Sequence, residues 1–394
     1  MPSTAEARAG RVAEMHRQTR PGLAFAGAFA VASGLAAIAP HNTGAWLPLH
    51  LFLAGAVLHA ISAVTLMLAV TWSAGLPPPW SAVRLQRWLL TAGVIVLAAG
   101  REMALAGLTV AIAASTIAAS MVILGVLLAR VRRDASLDRF DAAIDGYLTA
   151  LTLALVGSAL GAMAGAGHSA SGLVSMHLTL NLFGLVGVVI AATLPYMTAT
   201  QFRSKMAPRA TPRTIRAVVG ALAAATVVTT IGIGTRRELL AGLGLITYAG
   251  GIAATIAICP FPRWRNLRWA GPRAGCIALG ALWWFGATVG FAACAWSALD
   301  APTGLIVALV VGGYAQILAG SLAYLAPVLR GGGHARLAQG FRLTRCWPAL
   351  VAANVAAAGA VFGSSIVALA GIAIVLGDGM ARAALLTRPL HEVA

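Results

Sequence analysis

Residues 173–199 read LVSMHLTLNLFGLVGVVIAATLPYMTA, a stretch without a single charged side chain. A helix needs about 20 predominantly apolar residues to cross the hydrocarbon core of a bilayer, and this stretch is longer than that. Two polar residues, His177 and Asn181, stand near its start. An imidazole or a carboxamide left without a partner in hydrocarbon costs several kcal/mol, so each needs one.

The rest of the chain has the same character. Of its 394 residues, 59% are hydrophobic and 10% charged, with a mean hydropathy of +0.86. A soluble domain carries about 25% charged residues. The expected fold is therefore all-α, a polytopic integral membrane bundle. Runs long enough to span fall near 21–40, 47–73, 86–106, 108–130, 143–167, 173–199, 214–234, 238–259, 274–297, 303–328, 347–363 and 365–386, which makes twelve. The corresponding organisation is a segment 1–20, a single transmembrane domain 21–386 and a tail 387–394.

Charge orients the bundle. With both termini and every connection after an even-numbered span on one side, all Arg and Lys residues except Arg101, Arg236 and Arg237 fall on that side. The positive-inside rule makes it the cytoplasm, and the expected location is the plasma membrane. The net charge of +17 is spread over short clusters between apolar runs, such as QFRSKMAPRATPR and PFPRWRNLRWAGPR. That pattern fits contact with anionic lipid headgroups and argues against nucleic acid as a partner. The first twenty residues carry charges of both signs with no small-residue cleavage pattern after them, so no removed signal peptide is expected.

The four cysteines, Cys259, Cys276, Cys294 and Cys346, form no CxxC pair, so neither a zinc motif nor a disulfide framework is indicated. The 44 glycines include no GxxxxGK[ST] phosphate loop and read as helix-packing residues.

The second, sixth and tenth spans share a pattern: HLFLAGAVLHAISAVTLML from His50, HLTLNLFGLVGVVIAATLPYM from His177 and GGYAQILAGSLAYLAPVL from Gly312. Their spacing, near a third of the chain, implies three four-span units. His50 and His177 each lie about four residues, roughly 6 Å, inside the outer start of a span, and so share a layer. On a regular helix His59 points away from His50, and a bond to a neighbouring helix is its expected role. His177, Asn181 and Gly184 share one helical face, where glycine admits a close neighbour. That face is the candidate site. His41 and His168 belong to outer loops, and Asp145 to the cytoplasmic boundary.

This layout resembles subunit I of the haem-copper oxidases and their non-oxidase relatives, including the NnrS-type membrane proteins. It is also similar to actinobacterial membrane proteins that carry a cupredoxin or multicopper oxidase domain behind the spans. The resemblance implies that His50 takes the place of a haem ligand in the second span and His177 that of a copper ligand in the sixth. It further implies haem or copper as the cofactor, supporting roles for Asn181, Tyr314 and Gln316, and Arg101 as partner of a haem propionate. A membrane or cupredoxin partner is implied as well. His177 is followed by Leu, Thr, Leu and Asn, without the oxidase carboxylate and tyrosine, and the tenth span has Gly312, Tyr314 and Gln316 where haem ligands would stand. Reduction of oxygen to water is therefore not expected. The plainer role for His50, His177 and Gln316 is a hydrogen bond between helices, and for Arg101 pairing with other charged groups at the boundary; the alternative functions are a transporter of a small solute or an accessory subunit without cofactor.

Overall fold

The computed structural model describes residues 4–39, 41–105, 107–168, 172–297, 299 and 302–388, and among these it is helical without a strand. Eleven helices are long and apolar enough to cross a membrane: Gly10–Ile38, Trp46–Ser73, Trp80–Glu102, Gly107–Arg133, Asp138–Gly165, Leu173–Gln201, Pro212–Gly234, Glu238–Ala257, Pro272–Trp296, Thr303–Arg330 and Ser365–Thr387. The protein is an all-α polytopic membrane bundle in contact with lipid. The first ten are numbered here as spans one to ten, and Ser365–Thr387 as span twelve.

The expected eleventh span needs correction. Residues 347–363 give a helix of only 15 residues, Trp347–Val361, which at 1.5 Å per residue is about 22 Å long against a core of about 30 Å. Pro348 fits the first turn, and Gly363 at φ 77° breaks the chain before Ser365. Span one also differs from expectation, since its helix is continuous from Thr4 through Pro21 to Ile38. Residues 389–394 of the expected tail lie outside the described residues.

The chain divides into two compact units, Met1–Ala192 with Thr211–Leu240, and Thr193–Ala210 with Ala241–Ala394. In the first, span one packs on span two, three on four, four on five, and five on six and seven. In the second, span nine packs on span ten, and the Trp347–Val361 helix packs on spans ten and twelve. Large apolar side chains such as Leu85, Trp88, Ile95, Ile112 and Val122 point outward, as lipid-facing positions do. A threonine cap opens span seven, where Thr211 Oγ1 accepts from Thr214 N at 3.1 Å and Pro212 follows it.

Spans two, six and ten depart from α-helical bonding. Each contains a π-helical segment: Leu51–Val57, Leu180–Gly187 and Ala308–Ala315. These begin at 51, 180 and 308, so the spacings are 129 and 128 residues. The repeat seen in the sequence therefore has a structural counterpart in the same three spans. Its register differs, however. His50 immediately precedes its π segment, His177 stands three residues before its own, and Gly312 lies inside the third.

Candidate functional site: two parallel imidazoles

The rings of His50 and His177 lie parallel, 6° apart, with centres separated by 6.1 Å. Both residues are half-buried. The layer predicted from their depth brings them together within the first unit.

Each ring is held by one nitrogen. His50 Nδ1 donates to the Trp46 carbonyl at 2.8 Å, one turn back on its own helix. His177 Nδ1 donates to the Gly157 carbonyl on span five, also at 2.8 Å. A carbonyl oxygen can only accept, so both Nδ1 atoms carry the proton and each neutral ring keeps its lone pair on Nε2. Fixing Nδ1 on a carbonyl sets both tautomer and ring angle, which is how metal-binding histidines are held.

Asn181 serves as a brace. Its Nδ2 donates to the His177 carbonyl at 2.8 Å. The same atom lies 3.3 Å from His177 Nδ1, but a nitrogen that already donates its only proton has no lone pair in the ring plane to accept another.

Span five makes room for this pair. A Cβ added at Gly161 would collide with the His177 ring at Nδ1, and one at Gly157 would fall 2.6 Å from Asn181 Nδ2. Gly184 meets the same span, where an added Cβ would lie 3.0 Å from Leu153 Cβ. The face shared by His177, Asn181 and Gly184 is thus seated on span five. The room left by Gly184 is filled by that helix.

On the other side of His50, Trp46 stacks at 4.0 Å between ring centres, and the Arg101 guanidinium lies 5.5 Å over the Trp46 ring. Arg101 is exposed, at the end of span three. Glu102 next to it fastens the loop before span two, accepting from Asn42 N at 2.9 Å and from the Thr43 hydroxyl. The sequence order Arg101–Glu102 thus separates into a cation on an aromatic face and an anion on a loop.

Tyr314 and Gln316 belong to the second unit. Both are 2% exposed. Tyr314 meets Trp284 edge-on at 6.2 Å. Gln316 Nε2 donates to the Gly312 carbonyl at 2.7 Å, its Oε1 accepts from Asn354 Nδ2 at 3.1 Å, and Asn354 Oδ1 accepts from Trp283 Nε1 at 2.8 Å. These polar groups tie spans nine and ten to the Trp347–Val361 helix.

Trp46, Gly157 and Gly161 were not singled out from the sequence. The glycines left a signal, since Gly157, Gly161 and Gly165 recur every fourth residue in GSALGAMAG, the spacing that lets membrane helices approach closely. Among the described residues, no group of three or more His, Cys, Asp or Glu side chains is placed to hold a metal. No family model matches the chain, and no curated protein matches it.

Proposed function

We propose that the first unit binds haem or copper through His50 and His177, in a membrane protein laid out like a non-oxidase relative of haem-copper oxidase subunit I. The observation that carries this reading is the pair of parallel rings, each with Nδ1 fixed and Nε2 engaged by nothing among the described residues.

Imidazole suits both copper and haem iron. Two protein ligands match either a two-coordinate copper ion or a haem that brings four nitrogens of its own. The bound group would supply reversible one-electron or small-gas chemistry, such as nitric oxide handling. The chain's contribution is to hold two imidazoles in the metal-binding tautomer, to keep their angle through the Trp46 and Gly157 carbonyls, and to offer Arg101 as a cation for a propionate. Oxygen reduction is not assigned, because neither a carboxylate nor a tyrosine follows His177 as in the oxidases.

The basic clusters support a plasma-membrane location with both termini cytoplasmic, the arginine-rich loops against anionic headgroups. The imidazoles then belong to the outer side, where a membrane or cupredoxin partner would reach them. Transport of a small solute is the second reading, favoured by the three π segments, since helices that depart from α bonding at depth line transport sites.

The test is the visible spectrum and metal content of detergent-purified protein expressed with haem and copper supplied. A Soret band or stoichiometric copper is expected, and His50→Ala or His177→Ala should each remove it. Absence of both signals in the parent protein sinks the reading.

A further inference from the structure

The second unit contains a pair of thiols that the imidazole site does not use. Cys276, near the start of span nine, and Cys346, just before Trp347, are 1% and 6% exposed and are enclosed by Ala323, Ala349 and Leu350. Both thiols belong to this one buried cluster, and both are free cysteines.

The charge around them is unusual. Arg273, one turn before Cys276, is 3% exposed and has no carboxylate partner among the described residues. Its Nε donates to the Ala270 carbonyl at 3.0 Å and its Nη2 to that of Trp269 at 3.3 Å, while Nη1 is buried without a partner. The rings of Trp269 and Phe341 lie 4.5 and 4.8 Å from the guanidinium carbon. Arg382, the other arginine of this region, is neutralised by two 2.7 Å bonds to Asp378. A buried cation without an anion is costly. The thiols beside it are the groups able to supply one.

We propose that Cys276 and Cys346 form a two-coordinate site for a soft monovalent cation, copper(I). Thiolates select soft ions. A closed-shell monovalent ion is satisfied by two of them in line, whereas structural zinc takes four ligands. On binding, one Cu⁺ replaces the two thiol protons, two sulfur–copper bonds form and two H⁺ leave, with no change of oxidation state. The product carries one negative charge, and Arg273 balances it. The proposal goes beyond the imidazole reading and uses other residues in the other unit, so either can fail alone.

The test uses the full-length His50→Ala/His177→Ala variant beside the parent protein, in mild detergent with a phosphine reductant, titrated anaerobically with copper(I) against bicinchoninate. The double variant should hold one copper with sulfur donors by X-ray absorption. Adding Cys276→Ser or Cys346→Ser should weaken retention at least a hundredfold, while Cys259→Ser should leave it unchanged. Cys276→Ala replaces the serine variant if a core hydroxyl disturbs folding, as judged by elution and circular dichroism. Failure of the double variant to retain copper against the competitor would overturn the proposal. So would retention that survives loss of both Cys276 and Cys346.

Discussion

His50 and His59 stand on the same span and start from the same local bond, yet end in opposite chemical states. Each donates Nδ1 to the carbonyl four residues back, Trp46 at 2.8 Å and Gly55 at 2.6 Å. His59 is then used up. Its Nε2 accepts from Thr91 Oγ1 at 3.0 Å, its ring lies 5.7 and 5.2 Å from those of Phe25 and Phe29, and it is 1% exposed. His50 has Trp46 on its ring and the parallel ring of His177 at 6.1 Å, and its Nε2 is engaged by nothing among the described residues. The lesson is that the same bond within the helix secures one nitrogen of each histidine, while the neighbouring helix decides whether the other is engaged, as by Thr91, or left open.

The sharpest way to break this contrast is to remove each ring. His50→Ala should abolish the cofactor signal with little loss of stability. His59→Ala should keep the signal and lose about 2–4 kcal/mol through the cavity and the two broken bonds. Unfolding in mixed detergent micelles alongside the visible spectrum reads both, and the contrast fails if the two variants behave alike.

A smaller effect is expected at the support. Gly161→Ala places a methyl group against His177 Nδ1, so the ring must shift. Cofactor affinity should fall roughly 10- to 100-fold, as for a lost outer-shell contact, with about 1–3 kcal/mol of strain. The same substitution at Gly220, which has open space at its Cβ position, is the control. Equal results at the two glycines would mean that span five does not position His177.

The smallest effect concerns His41, in the loop before span two. His41 Nδ1 lies 2.8 Å from the Ala39 carbonyl and Nε2 2.5 Å from that of Gly44. Only the protonated ring can donate to both, and these two bonds raise its pKa above the ordinary 6.5. The loop's hold on the ring is therefore complete below the ordinary value and is lost as pH rises through the raised one. Titration of the His41 ring by NMR should show a midpoint above 6.5. A midpoint at or below that value would remove His41 from the contrast.

Much of this was legible in the sequence. Long uncharged runs announced the membrane bundle, because a single segment of about 20 apolar residues can satisfy its own backbone in hydrocarbon only as a helix. The depth of His50 and His177 foretold their shared layer, and the burial of His59 its bond to another helix. Three features were hidden. The fit of Gly157 and Gly161 under His177 and Asn181 depends on which helices are neighbours, and among 44 glycines their spacing alone did not stand out. Trp46 gains its place only once the second span is seen to begin there. Tyr314 and Gln316 were grouped with the histidines by analogy of position along the repeat, while the contacts they make belong to the second unit.

The π segments bear on how these helices tolerate change. A turn bonded to the fifth residue accommodates one residue more than the α-turn it replaces. The turns before and after each segment therefore keep the mutual register of a helix one residue shorter. Spans two, six and ten each contain a site where a single-residue deletion can be absorbed by reverting to α bonding, without rotating the rest of the span about its axis. Elsewhere in the same spans, such a deletion would swing lipid-facing side chains into the interior.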